Sequence, residues 1–140
     1  MKIFLYFIGK PRDPHSNAIA EEFFVKRTSR YVKTEMREID PVRTDFWQRH
    51  AADTKVLLDP AGRVMPSAAF VELVRKWEFE GRDAAFVVGG HDGFDQDWKR
   101  RADLLLSLSA MTFPHELARA MLAEQIYRAF ATLRGHPYPR

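Results

Sequence analysis

The amino-acid sequence predicts a single α/β domain, residues 1–140, built on a mostly parallel sheet. Three observations carry that reading. Short apolar runs alternate along the chain with stretches of helical periodicity. The length of 140 residues suits one domain and is short for two. A hydrophobic content of 46% supplies core material and excludes a disordered chain.

The elements follow in order. Lys2–Ile8 is a short apolar run ended by Gly9-Lys10-Pro11, and reads as the first strand. Residues 17–31 place Ile19, Phe23, Phe24 and Tyr31 on one helical face, with Ser16 as the expected N-cap. Lys33–Ile39 sets Thr34 and Met36 among charged neighbours and predicts a strand. Between 40 and 52, Phe46 and Trp47 suggest a short helix. Residues 55–58 form an apolar strand that stops at Asp59-Pro60-Ala61-Gly62, a turn signal. Residues 67–80 carry Phe70, Leu73, Val74 and Trp77 at helical spacing, capped by Gly81. Ala84–Val88 predicts a central strand leading into Gly89-Gly90. A short helix over 94–102, a strand over 103–109 and a long helix from Pro114 to Leu133 complete the alternation. Glu124 and Arg128 form an i,i+4 pair on that last helix.

Composition removes several functions. The chain has no cysteine, so disulfides, thiolate zinc sites and iron–sulfur clusters are excluded. No apolar run approaches the roughly 20 residues of a membrane span, and a cytoplasmic protein with no membrane partner is expected. Metal-binding helix motifs, an EF-hand loop and G-x-S-x-G are absent from the sequence. Formal net charge is +3, and residues 99–140 hold seven basic residues against three acidic ones. Arginine is the commoner cation and suits phosphate recognition, so a polyanion is one reading of the excess. The other is a solvated helix face, which the charge taken alone favours.

Ligands of parallel sheets bind at the carboxyl ends of the strands. That rule points to Leu58-Asp59, to Gly89-Gly90 and to the segment after Leu108. Gly89-Gly90-His91-Asp92-Gly93 lets backbone approach a ligand, or is an ordinary tight turn. It matches neither the dinucleotide fingerprint nor a P-loop. Residues 104–113, LLLSLSAMTF, bring hydroxyls to the start of the long helix, where free N–H groups hold polar ligands. Thr112 as N-cap, with Pro114 inside the first turn, is the structural alternative. His115 lies at that helix end, where a neutral imidazole accepts a proton or orients a base. The stiff tail 134–140 packs Arg134, His136, Tyr138 and Arg140 into seven residues. Arginine pairs with phosphate and tyrosine stacks on bases. The long helix is apolar around much of its circumference, at Leu117, Met121, Leu122, Ile126, Tyr127, Phe130 and Leu133, so a homodimer is expected.

Six ordered motifs then stand out: L-D-x-x-G at 58–62, W-x-x-x-G-R-D at 77–83, V-G-G-x-x-G at 88–93, L-S-x-S-x-M-T-F-P-H at 106–115, E-x-x-Y-R-A at 124–129 and H-P-Y at 136–138. Together they resemble the SPOUT-class 23S ribosomal RNA pseudouridine N3-methyltransferases of the RlmH type. The resemblance spans the chain and is dense from Leu57 onward. It implies an α/β fold with a C-terminal trefoil knot, a homodimer, and S-adenosylmethionine bound in the knot. It implies methylation of N3 of a pseudouridine in 23S ribosomal RNA on the assembled ribosome. Carried over, Leu58, Gly89, Gly90, Leu108, Ser109, Ala110, Met111, Thr112 and Phe113 would contact the cofactor. His136 and Tyr138, with His115, would be catalytic, and Arg119, Arg134 and Arg140 would lie near RNA. The tail has Pro139 where the family has a second histidine, and the segment before Leu57 is shorter than usual. Two other readings stay open: a non-catalytic RNA- or ribosome-binding protein of the same fold, and a Rossmann-type small-molecule enzyme.

Overall fold

The computed structural model describes residues 1–138. Five parallel strands form one sheet in the order β2-β1-β4-β3-β5. They are β1 (Lys2–Ile8), β2 (Lys33–Ile39), β3 (Thr54–Val64), β4 (Ala84–Val88) and β5 (Leu104–Ser107). β4 is buried throughout and holds the centre, paired to β1 and β3.

Side-chain alternation divides the core between the two faces of the sheet. Ile3, Leu5, Val56, Phe86 and Val88 pack under α4 (Ser67–Phe79) and α6 (His115–Leu133), meeting Phe70, Trp77, Leu122, Ile126 and Phe130. Phe4, Tyr6, Leu57 and Val87 face α3 (Phe46–Arg49) and α5 (Gln96–Arg101), meeting Phe46 and Trp98. Both faces are covered, which is why the strands read as continuous apolar runs.

Four local expectations are corrected. The first helix begins at Pro14, not after Ser16. Asp13 is its N-cap, accepting from His15 N at 3.1 Å and from Ser16 Oγ at 2.6 Å. Three joined segments make this helix: α1 (Pro14–Ala18), a π-helical stretch (Ile19–Val25) and α2 (Lys26–Thr28). Pro114, not Thr112, occupies the N-cap of α6, with extended backbone at φ −52° and ψ 136°. β5 ends at Ser107, whose Oγ donates to Ser109 O at 2.8 Å as the chain leaves the sheet.

The fourth correction concerns β3. Asp59-Pro60-Ala61-Gly62 does not end the strand. Leu58 pairs with Leu106, the chain bulges, and Arg63 pairs with Leu106 again. Residues 58–63 therefore wrap the end of β5. At this crossing a Cβ on Gly62 would lie 2.6 Å from Leu105 O and 2.9 Å from Leu106 N, both backbone atoms. Glycine is needed here for close approach, and nothing flexible can yield.

The expectation is that Gly62→Ala destabilises the protein by about 3 kcal/mol in urea denaturation, the upper range for overpacking. Gly90→Ala, whose Cβ would meet Ile8 O only at 3.4 Å, should unfold close to wild type. Equal midpoints for Gly62→Ala and wild type would show that the crossing does not constrain the fold.

Candidate functional site

The bulge of β3 and the carboxyl ends of β4 and β5 converge on one cleft of about 290 Å³. β3 contributes Leu58, Asp59 and Pro60, and β4 contributes Val88 with Gly89 and Gly90. The segment from Ser107 to Pro114 closes it, followed by His115 and Ala118 of α6. Leu58, Leu108, Ser109, Met111, Thr112, Phe113 and His115 thus lie together as the sequence predicts. Ala110 is exposed and is not part of the lining.

Local chemistry explains each wall. Gly90 O accepts from Gly93 N at 3.1 Å, which closes the 90–93 turn. Gly89 is packed from behind: an added Cβ would sit 3.2 Å from the Phe94 ring and 3.3 Å from Gly93 Cα. Gly89 is thus required by its own turn before any ligand is considered. The serines serve the loop, Ser107 donating to Ser109 O and Ser109 Oγ accepting from Met111 N at 3.0 Å. Asp59 is buried, its Oδ1 accepting from Ala61 N at 2.9 Å. Its Oδ2 pairs with Lys99 Nζ of α5 at 3.1 Å. That ion pair was not anticipated; Lys99 and Asp59 are forty positions apart and only the fold joins them.

The lining fits a nucleoside cofactor. Leu58, Val88, Leu108, Met111 and Phe113 are apolar, and Asp59, His91, Ser107, Ser109, Thr112 and His115 place polar groups among them. Apolar walls with a few placed polar groups suit a flat heterocycle. No lysine or arginine is among the lining residues, which disfavours a polyphosphate. Among the described residues no cluster of His, Cys, Asp or Glu could hold a metal ion.

The basic residues of the last third are placed differently from expectation. Arg119 is 1% exposed and faces inward. Its Nη2 donates to Ile8 O at 3.1 Å, and its guanidinium lies 4.3 Å from the centre of the Phe7 ring. Burial pulls its pKa down, with Glu116 and Glu38 opposing. It falls on the inward face of α6, so it cannot be a surface contact for RNA. Arg134 is exposed but forms a bidentate pair with Glu78, at 2.9 and 2.6 Å. Arg140 lies outside the described residues, as does Pro139.

The tail residues do not join the cleft. Tyr138 Oη donates to Glu124 Oε1 at 3.1 Å, and its ring stacks edge-on against Tyr127. Burial, then Glu124, pushes its phenol pKa up. His136 is exposed, its Nδ1 accepting from Tyr138 N at 3.1 Å. The predicted Glu124–Arg128 pair forms at 2.6 Å and adjoins Tyr138. The tail folds back along the 19-residue α6: His136 N donates to Ala131 O at 2.8 Å and Tyr138 reaches Glu124, which lie roughly 24 and 14 Å along the helix from His115.

A larger apolar groove, about 360 Å³, runs between the π-helical stretch, α4 and α6. Most of the apolar circumference of α6 is covered within the chain, Leu122, Ile126, Tyr127 and Phe130 being buried. Leu117, Ile19 and Phe23 remain exposed along this groove's side.

Comparison with known proteins decides the family. The family model described as "Predicted SPOUT methyltransferase" matches residues 1–139. The chain belongs to the SPOUT methyltransferase family. It is 65% identical over 140 residues to the ribosomal RNA large subunit methyltransferase H of Solibacter usitatus (strain Ellin6076), covering all of both chains. It is 36% identical to the protein of the same name from Burkholderia cenocepacia (strain HI2424), covering all of this chain and 99% of that one. Two solved structures share the fold. A methylase family protein from Haemophilus influenzae Rd KW20 superposes with TM-score 0.64 at 10% identity, over 99% of this chain and 70% of that one. A methyltransferase from Legionella pneumophila, solved with bound SAM, superposes with TM-score 0.55 at 17% identity, over 92% and 66%. For this SPOUT methyltransferase no helix is long and apolar enough to cross a membrane, among the described residues.

Two outcomes test the site. Lys99→Met should weaken S-adenosylmethionine binding about tenfold in calorimetry, because it leaves Asp59 buried and unpaired. Lys99→Arg should restore most of the affinity, and equal binding by all three proteins would remove Lys99 from the site. The second concerns Glu116, whose carboxyl is held below its ordinary value by N–H bonds from Asp13 and Arg12. A depressed folded pKa stabilises above the unfolded value of 4.5 and is lost as pH falls through the folded value. Glu116→Gln should therefore melt below wild type at neutral pH, and the two should converge as pH falls below 4.5 through the folded value. A constant gap across that range would remove Glu116 as the cause.

Proposed function

We propose that the protein transfers a methyl group from S-adenosylmethionine to N3 of a pseudouridine in 23S ribosomal RNA. The acceptor is the assembled ribosome, and the enzyme acts in the cytoplasm as a homodimer with its C-terminal segment threaded as a trefoil knot. One observation carries this reading: the cleft is walled by 58–60, 89–90 and 107–115, in a chain 65% identical end to end to a ribosomal RNA large subunit methyltransferase. The double pairing of Leu106, with Leu58 and with Arg63, supports the knot. The exposed Leu117, Ile19 and Phe23 beside the apolar groove support a second copy.

Leu58, Gly89, Gly90, Leu108, Ser109, Met111, Thr112 and Phe113 would hold the cofactor. S-adenosylmethionine supplies a methyl group already activated by its sulfonium, so positioning supplies most of the catalysis. The chain must orient the base and accept the N3 proton. His115 lies in the cleft and can take that proton directly or through a water. His136 as placed accepts at Nδ1, so in its neutral form it carries a proton on Nε2 and presents a donor. Its role on the substrate side calls for a second chain: His136 N donates to Ala131 O, sixteen residues and roughly 24 Å along α6 from His115. In the homodimer the tail of one copy serves the cleft of the other.

Incubation with labelled S-adenosylmethionine and ribosomes, followed by nucleoside analysis, should yield 3-methylpseudouridine. His115→Ala should lower kcat roughly 100-fold. Deletion of residues 136–140 should abolish transfer and leave cofactor affinity intact. Cofactor binding without transfer to any RNA would favour the non-catalytic RNA-binding reading, and label on another base would overturn the substrate.

A further inference from the structure

The loop from β1 to α1 is held by an unusual pair of charges. Glu116 and Arg119, one turn apart on α6, grip its main chain from both sides. Glu116 Oε1 accepts from Arg12 N and from Asp13 N, the latter at 3.0 Å. Arg119 Nη2 donates to Ile8 O at 3.1 Å and reaches toward Gly9 O at 3.5 Å. The arginine is fully buried with no hydrogen bond at Nε or Nη1, Nη1 lying 3.9 Å from Glu116 Oε1. Burying a charge with so few hydrogen bonds is costly, and those it makes go to the carbonyls where β1 leads into this loop.

The clamp fixes a loop whose side chains point away from it. Gly9, at φ +94°, turns the chain off β1 in a conformation other residues resist. Pro11 stiffens the next step. Lys10, Pro11 and Arg12 are all exposed. The nearby acids are engaged by neutral donors: Glu116 by the two loop N–H groups, Asp13 by His15 N and Ser16 Oγ. Among the described residues neither Lys10 nor Arg12 forms a salt bridge. The residues that hold the loop at either end adjoin the cleft. Ile8, which leads into the loop, has its O against Gly90, and Glu116, which accepts from Arg12 N and Asp13 N, follows the cleft residue His115.

We propose that Lys10 and Arg12 are a phosphate-binding rim that docks the backbone of the RNA substrate at the mouth of the cleft. The rim rests on the reading of the protein as an RNA methyltransferase, and it takes over the task for which Arg119 and Arg134 are not free. A preformed cationic loop loses little entropy on binding, so its two charges act fully on the polyanion. It contributes position and affinity and leaves the reacting atoms to the cleft.

The test compares wild type with Lys10→Ala/Arg12→Ala, and with Lys10→Arg/Arg12→Lys as the charge-preserving control. Binding to a labelled 23S RNA fragment is titrated over a series of salt concentrations, beside cofactor calorimetry and methyl transfer to ribosomes. The alanine pair should bind RNA about tenfold more weakly. Its slope of log affinity against log salt should be shallower by about 1.4 to 1.8, the loss of two phosphate contacts. KM for ribosomes should rise in step, with kcat and cofactor affinity unchanged and the control like wild type. Wild-type affinity and slope in the alanine pair would overturn the rim. A wild type that transfers no methyl group overturns the parent reading instead, and the rim is then judged by the same binding comparison.

Discussion

The contact of Gly62 with the backbone of Leu105 and Leu106 constrains more of this structure than any other. It allows one residue of β5, Leu106, to pair with β3 at both Leu58 and Arg63. The intervening residues have no partner on β5 and form a bulge, which brings Asp59 and Pro60 into the cleft lining. They land opposite the segment that follows Ser107. Two walls of the cleft are thus products of one close approach, and the third, Gly89-Gly90, lies on the adjoining strand β4. Hydrophobic burial holds the sheet together, but it is this backbone crossing that makes a cleft out of one strand's bulge and two strand ends.

The far side of the sheet supports the same walls. Phe94 packs behind Gly89, stacks on Trp98 at 5.7 Å, and Trp98 stacks on Phe46 at 5.6 Å. Lys99, next in the chain to Trp98, reaches Asp59. So α5 ties the glycine turn to the β3 bulge, through aromatic packing on one side and an ion pair on the other. Farther along this face Tyr6 Oη contacts His50 Nε2 at 2.7 Å, and His50 Nδ1 contacts Asp53 at 2.8 Å. His50 is buried among Phe4, Tyr6 and Phe46 with both ring nitrogens satisfied. That is what a buried polar group requires of its neighbours.

Much of this was legible in the sequence, and the misses share a physical cause. Periodicity marks which residues face a core, so β1, β2, β4, α4 and α6 are found close to their true limits. The strand-end rule located the cleft because it needs only strand order and direction. Asp59-Pro60-Ala61-Gly62 was read as a turn because those residues do favour turns. That the strand resumes at Arg63 depends on β5, which arrives some forty residues later. Arg119 was counted as surface charge for a similar reason. Its burial depends on the carbonyls of Ile8 and Gly9, more than a hundred residues away. Ser16 was mistaken for a cap because Asp13, the actual cap, stands before a proline. Short-range patterns report propensity and burial; pairings across the fold decide where those patterns end.

α6 then acts as a ruler along which the functional parts are ordered. Its first residue lines the cleft, its first turn clamps the β1–α1 loop, and its middle borders the apolar groove. Its last turns anchor the tail through Glu124, Tyr127 and Arg128. A helix is stiff, so these stations keep their spacing. Loop and cleft share the first turn, whereas His136 is held toward the other end of the helix, its N donating to Ala131 O. In the proposed homodimer the tail would meet the cleft of a second molecule, placed by the groove that lies between them on the same helix. Under that proposal dimerisation would be part of the reaction geometry: without the partner's tail, a folded chain that binds the cofactor would still lack the substrate side of its site.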